Sequence, residues 1–489
     1  MPVRSALIRL HRRLGLPMSG VFALWFASGV VMMYSSGMPW VTPDERLRRA
    51  EPVTLGAVRC PPAQAARVAG VESPEEMRLE QLLDRPLYRV DDAAVYADTC
   101  APFDPLSDAQ ALDLAGRFAG AAQLQPVETL QEVDQWTLFK ASALPLLRIR
   151  VEGSGEELYV SPRQGRVVQR TTRLSRALAW LGAIPHWFYL TALRNDGALW
   201  SGVVTGTSAV GVLVAALGLY VGLSTARRAR RAPRARWIPY PGPVRWHMML
   251  GLVFGLTTLT WVFSGMMSME PFEWTRADAV EVDEVALQGG PIDPAAFRLP
   301  DEADLAALFG QRVVKALELT RIDGAPVLHA RWIEPDGAPG EGLLDVATLG
   351  WRTAPLGEAA LLARLRAATG DAPVREATRL DHYDAYYSDR DGDLPLPVLR
   401  VRFGDPAATW VYLDVRTGAL VWRNHRRTRA ERWLFRGLHT MDLPGWYARR
   451  PLWDVVMILL LVGGFGVSVM GMRAGLHRTW RTARRRARG

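Results

Sequence analysis

Four stretches of the chain, Leu14 to Met33, Leu199 to Leu223, Met248 to Met269 and Val455 to Met472, are almost free of charge. Each is long enough to cross a hydrocarbon core, which takes roughly 20 helical residues. The mean hydropathy of zero over 489 residues hides this unevenness. The segments between the stretches carry charges, prolines and turn signals, the composition of folded domains. The expected order is a basic N-terminus (1–13), a first span (14–36), an outer domain (37–178), an interfacial segment (179–197) and a second span (198–223). A basic loop (224–246), a third span (247–269), a second outer domain (270–427), a second interfacial segment (428–450), a fourth span (451–472) and a basic tail (473–489) follow.

Orientation follows from the basic residues in short flanks, which favour the cytoplasmic side. Arg4, Arg9, Arg12 and Arg13 precede the first span, six arginines lie within Arg227 to Arg236, and Arg478 to Arg488 form a basic tail. N-terminus, middle loop and C-terminus are all expected in the cytoplasm, with a bacterial inner membrane as the location. The net charge of +9 then serves as an anchor against an anionic leaflet, so nucleic acid is disfavoured as a partner. The first apolar stretch exceeds a signal-peptide h-region and no A-x-A-like site follows it, so an uncleaved anchor is expected. Cys60 and Cys100, the two cysteines, both fall in the first outer domain, where an oxidising compartment permits a disulfide. They form no C-x-x-C or C-x-x-C-H pattern, which leaves a structural staple or two unrelated thiols.

The two halves of the chain repeat one another. His11 is followed by Leu14, Gly15, Leu16, Trp25, Ser28 and Gly29, and His247 by Leu250, Gly251, Leu252, Trp261, Ser264 and Gly265 at the same offsets. Trp180, His186, Trp200 and Gly211 match Trp433, His439, Trp453 and Gly464 with spacings of 6, 14 and 11. In the outer segments, Asp134-Gln135-Trp136 before Leu144 to Arg150 aligns with Asp381-His382-Tyr383 before Leu396 to Arg402, and Tyr159 to Gly165 with Tyr412 to Gly418. Paired spans that cross in the same direction are related by an axis along the membrane normal. Strand patterns at Leu146 to Val151 and Thr409 to Leu413 beside helical stretches at Asp108 to Ala122 and Gly357 to Thr369 give the outer segments α+β character.

These features carry a family likeness: His-x-x-Leu-Gly opening a span, Trp-x-x-Ser-Gly closing it, Tyr412-Leu413-Asp414-Val415-Arg416-Thr417-Gly418 outside, and Trp433 to His439 before the last span. Over nearly its whole length the chain resembles PepSY-associated transmembrane proteins. The resemblance implies a membrane α-helical bundle of four transmembrane helices in a tandem pseudo-twofold repeat, with two α+β PepSY-like extracytoplasmic domains. Family members include siderophore-associated ferric reductases holding b-type haem, and the PepSY module is also associated with peptidase inhibition. His186, in Ala-Ile-Pro-His-Trp-Phe-Tyr, departs from the Leu-His setting of His439.

Neutral imidazole is a common axial ligand of haem iron. His11 and His247 open the first and third spans; His186 and His439 lie on the outer approach to the second and fourth. Within one repeat the histidines are about 30 Å apart, the hydrocarbon thickness, so pairing must cross the repeats. His11 with His247 and His186 with His439 are the expected axial pairs, holding one or two haem b groups. An interfacial polar role for each histidine remains the alternative. Gly29, Gly265, Gly211 and Gly464 fit either close helix packing or a porphyrin, and Met33 and Met269 are reserve ligands. His329, His382, His425 and His477 have no counterpart in the repeat. Asp389 to Asp393 lacks the Gly and Glu of a calcium loop, and Tyr386, Tyr387, Trp410 and Tyr412 fit sheet packing or a ligand surface.

No zinc helix, P-loop, nucleophile elbow or dinucleotide fingerprint occurs, so electrons would come from a separate flavoprotein or quinol. Two functions stand open: haem-mediated reduction of an extracytoplasmic acceptor such as a ferric chelate or siderophore, and non-enzymatic binding of a peptide, protease or envelope partner. A transporter is disfavoured, because no span carries a charged residue near mid-depth.

Overall fold

The computed structural model describes residues 2–35, 37–121, 123–231, 237–390 and 392–486. Arg234, Arg236, Arg488, Ala122 and Asp391, which figure in the expectations above, lie outside them. The chain forms two compact units, one of residues Met1–Pro39, Leu174–Arg276 and Arg427–Gly489, the other of Trp40–Arg173 and Ala277–Arg426.

Among the described residues, the first unit holds four helices long and apolar enough to cross a membrane: α1 (Pro2–Met32), α2 (Gly197–Arg230), α3 (Gly242–Met267) and α4 (Leu452–Arg486). This makes the chain a membrane protein. Asp196 starts α2 by accepting a hydrogen bond from the Leu199 N–H, satisfying one of the free donors of a helix N-terminus. The helices close into a ring in which α1 packs on α2 and α4, and α3 packs on the same two, so α1 and α3 face each other across the middle. Phe22, Phe26, Val214, Trp261 and Leu461 fill the interior. Val253 and Leu256 on α3 are 69% and 64% exposed. Such apolar exposure, repeated along α2 and α4, is unfavourable in water and matches a lipid-facing surface.

Among the described residues, the second unit contains three antiparallel sheets. In one, the order is β4 (Leu124–Leu130), β5 (Leu146–Val151), β6 (Glu157–Ser161), β7 (Arg166–Thr171); in another it is β11 (Val374–Leu380), β12 (Val398–Phe403), β13 (Trp410–Asp414), β14 (Leu420–Asn424). A helix covers each. Ala111, Ala115 and Phe118 of the helix Asp108–Ala119 pack on Leu147, Ile149 and Val160, and Leu361 and Leu365 of the helix Glu358–Ala368 pack on Leu399, Val401 and Leu413. Ser107 caps the former helix, and Gly120 ends it in the left-handed conformation, which costs glycine little; the helix is therefore shorter than its pattern predicts.

The third sheet runs β10 (Pro339–Asp345), β9 (Ala325–Ile333), β8 (Val313–Ile322), β1 (Met77–Leu82), β2 (Arg85–Val90), β3 (Ala93–Tyr96). Pairing of β1 with β8, Leu79 opposite Leu317, joins the two outer segments in one sheet over one core. Met77, Leu79, Tyr88, Leu317 and Leu319 are essentially fully buried there, each aliphatic side chain contributing about 1.5–3 kcal/mol. Cys60 and Cys100 are disulfide-bonded beside that core.

One alignment between the halves is corrected. Asp134 accepts hydrogen bonds from the backbone N–H groups of Trp136 and Thr137. Its counterpart is Asp384, which accepts from Tyr386 and Tyr387 in the same way, and not Asp381, which holds Arg379. Tyr387 and Tyr412 are fully buried and stacked at 4.8 Å, so they are sheet core and not a ligand surface. Asp389 accepts from the N–H groups of Asp393 and Leu394, a turn-closing role.

Candidate cofactor site

Four histidines enter the interior of the bundle in two pairs. His11 on α1 and His247 on α3 face each other across the ring with centroids 6.2 Å apart. His186, on the short helix Ala183–Trp187, meets His439, just past the wide turn Trp433–Gly437, with centroids 6.1 Å apart.

Every one of these rings is held through Nδ1. His11 Nδ1 donates to the Val214 carbonyl of α2 at 3.2 Å, and His247 Nδ1 to the Val467 carbonyl of α4 at 3.0 Å. His439 Nδ1 donates to the Trp261 carbonyl at 3.1 Å and lies 3.2 Å from Ser264 Oγ. His186 Nδ1 lies 3.0 Å from Ser28 Oγ, with Trp25 supplying the backbone acceptor. Ser28 Oγ donates onward to Leu24 and Ser264 Oγ to Trp261, so each hydroxyl is an acceptor for its histidine. The Trp-x-x-Ser-Gly motif thereby gains a role: its serine stands beside His186 at Ser28 and beside His439 at Ser264.

A carbonyl only accepts, so Nδ1 must carry the proton and Nε2 keeps its lone pair. This is the arrangement in which histidine ligates a metal while its second nitrogen donates to the protein. With metal–nitrogen bonds of about 2.0 Å and the ring radii added, two imidazoles on opposite sides of one ion have centroids roughly 6 Å apart. Both pairs match. Among the described residues, no group of three or more His, Cys, Asp or Glu could hold a metal ion. Two facing imidazoles suit an ion whose other ligands arrive with it, as the porphyrin nitrogens of haem do.

Glycines stand against the rings. A Cβ on Gly218 of α2 would lie 2.9 Å from His11 Cε1, and one on Gly471 of α4 would lie 3.0 Å from His247 Cε1. Gly265 and Gly29 stand by His439 and His186, at 3.2 and 3.9 Å. Gly218 and Gly471 are absent from the sequence expectation, although each lies seven residues beyond a matched glycine, Gly211 or Gly464. Those two face Phe22 and Phe26 and are packing residues. Met33 packs on the apolar cluster of the bundle, and Met269 lies beyond the end of α3, where its N–H donates to the Met266 carbonyl.

Of the other histidines, His329 lies 3.1 Å from Glu341 on the neighbouring strand, and its hydrogen bond is the main force pulling the Glu341 carboxyl down to about 2. His477 is an exposed residue of α4.

Comparison with protein-family models and with curated proteins finds no match to this chain.

Proposed function

We propose that the chain is a haem b electron-transfer protein of the bacterial inner membrane, built as a tandem pseudo-twofold repeat with PepSY-like outer segments, its termini cytoplasmic. It reduces an extracytoplasmic acceptor such as a ferric chelate or siderophore. The observation that carries the proposal is the pair of imidazole pairs, each ring fixed through Nδ1 with Nε2 free. His11 and His247 would hold one haem, His186 and His439 the other. When bound, haem supplies an iron that cycles between ferric and ferrous states and passes single electrons.

The remaining work belongs to the side chains. The carbonyls of Val214, Val467, Trp25 and Trp261 fix the tautomer, so no proton has to leave an imidazole before it ligates. Glycines at positions 218, 471, 265 and 29 leave room beside the rings. From position 11 to 28 on α1, and from 247 to 264 on α3, seventeen residues span about 25 Å. Phe22, Phe26 and Trp261 pack in that interval, Phe26 against Trp261 at 5.9 Å, and exclude water from it. A cytoplasmic flavoprotein or quinol would supply the electrons.

Protein purified in detergent from haem-replete cells should show a Soret band, and an α-band on reduction with dithionite. The reduced protein should be reoxidised by ferric citrate. A colourless preparation, or reduced protein indifferent to ferric chelates, would sink the proposal.

One observation favours a second reading. Strands β4 and β11 are sheet edges, β4 with mostly exposed and β11 with exposed or half-buried side chains, and such edges accept an extended peptide as an added strand. A non-enzymatic peptide- or protease-binding protein would keep its function after all four histidines are replaced.

A further inference from the structure

A second site lies wholly within the outer unit. A cavity of about 300 Å³ opens between the helix Pro43–Arg49 and strands β1, β7, β8 and β9, at the lower end of the small-molecule range of about 300–1,000 Å³. Its wall carries six arginines and Lys315 against two carboxylates, Glu51 and Glu80.

Both carboxylates are already engaged. Glu80 is held by Arg89 at 2.7 Å and Arg166 at 3.4 Å. Glu51 accepts the backbone N–H groups of Leu83 and Asp84 and lies 3.5 Å from Arg117. Glu45, Glu76 and Glu318 pair with Arg49, Arg78 and Arg331 from outside the cavity.

The deficit falls on four groups. Arg46 has only the Val167 carbonyl, at 2.9 Å, and Lys315, 9% exposed, only the Ala50 carbonyl; neither has a carboxylate within ion-pair distance among the described residues. Nε of Arg78 and Nε of Arg331 are buried with no hydrogen-bond partner among the described residues. Buried N–H groups without acceptors are costly, and a buried cation without a counter-charge more so. Burial, the largest influence on each, holds both Arg46 and Lys315 below their ordinary pKa, and the nearby charges of Glu80 and Glu51 offset it only in part. Three forked guanidinium groups and an ammonium converging on one hollow fit the oxygens of carboxylate or phosphate.

We infer that this cavity binds a small multivalent anion, a polycarboxylate or phosphate compound, held by Arg46, Arg78, Arg331 and Lys315. The inference is independent of the haem reading, since no histidine takes part.

The test is calorimetric titration of the full chain in detergent with tricarballylate, with pyrophosphate, and with acetate as the monovalent control. Saturable binding of a multivalent anion, weakened by salt as exposed charge interactions are, is expected, with acetate far weaker. The tighter of the two multivalent anions assigns the ligand as carboxylate or phosphate. Lys315→Gln and Arg46→Gln should each weaken binding about tenfold, the value of one charge-assisted hydrogen bond. Glu51→Gln removes a negative charge from the wall and should tighten it, a gain that misfolding cannot mimic. No saturable heat with either anion, or equal affinities across the three variants, would overturn the inference.

Discussion

The bundle and the outer unit bury their polar chemistry in opposite ways. In the bundle, four imidazoles are tied through one nitrogen to carbonyls or, for His186, to the Ser28 hydroxyl, and the other nitrogen of each is uncommitted. In the outer unit, charged groups are tied to each other: Glu157 takes Arg148 at 2.9 Å and Arg150 at 3.3 Å, Arg400 takes Asp384 at 2.8 Å, and Glu80 lies among three arginines. Burial works against ionisation of Glu80, and Arg89 with Arg166 outweighs it, keeping the carboxyl below its usual pKa. Matched pairs of this kind position the fold and add little net stability. The bundle instead positions lone pairs, which is what a ligand sphere requires, whereas the cavity of the outer unit gathers cations in excess of its carboxylates.

The largest effects should come from the bundle. His247→Ala should remove about half of the bound haem while the outer unit melts as before, because the outer pair has its own supports. Gly471→Leu should do nearly the same by pushing the ring aside, whereas Gly202→Ala, where an added Cβ meets nothing within 4 Å, should leave the spectrum unchanged. Haem content by pyridine haemochrome separates these cases, and loss of all haem from either His247→Ala or Gly471→Leu would break the division into two sites.

Next in size is a change confined to the outer unit. The Cys60–Cys100 bridge closes a loop with sequence separation 40, and its loss through Cys60→Ser should cost about 4 kcal/mol on the chain-entropy account. Thermal melting should show an earlier transition with an unaltered absorption spectrum. A coupled loss of haem would mean that the two regions are less separable than their chemistry implies.

Ser264→Ala should act more gently. The Trp261 carbonyl still holds His439, so the ligand stays while one support is lost, which typically weakens metal binding about 10–100-fold. Haem transfer to apomyoglobin would measure it, and Ser28→Ala should behave alike at His186.

The smallest effect concerns Glu341, whose carboxyl is pulled to about 2 by its hydrogen bond from His329. A depressed pKa means a contribution fully present above the unfolded value of about 4.3 and lost as pH falls from there toward 2. The side chain is 46% exposed, so the contribution should stay under about 1 kcal/mol. Glu341→Gln should flatten that part of the melting-temperature profile, with no change in haem.

The spans were legible because uncharged runs of this length have few other fates, and the histidine pairing because identical offsets in two halves bring equivalent residues to one axis. Gly218 and Gly471 were missed, although carrying the matched register seven residues past Gly211 and Gly464 would have found them. The joining of β1 to β8 was not: Leu79 and Leu317 are brought together by side-chain packing across more than two hundred intervening residues, and neither strand's pattern names its partner. The equivalence of Asp134 with Asp384 was obscured by Asp381, whose neighbours His382 and Tyr383 imitate the motif locally, whereas hydrogen bonding to the two following turn residues decides the match.

The central claim is two bis-histidine haem sites per chain. Electron paramagnetic resonance of the oxidised protein, combined with haem quantification, tests it most directly. The account predicts two haems per chain, both giving low-spin ferric signals, one of which disappears in His247→Ala and the other in His439→Ala. Protein without haem, or haem whose signal stays high-spin and unchanged in both variants, would contradict it.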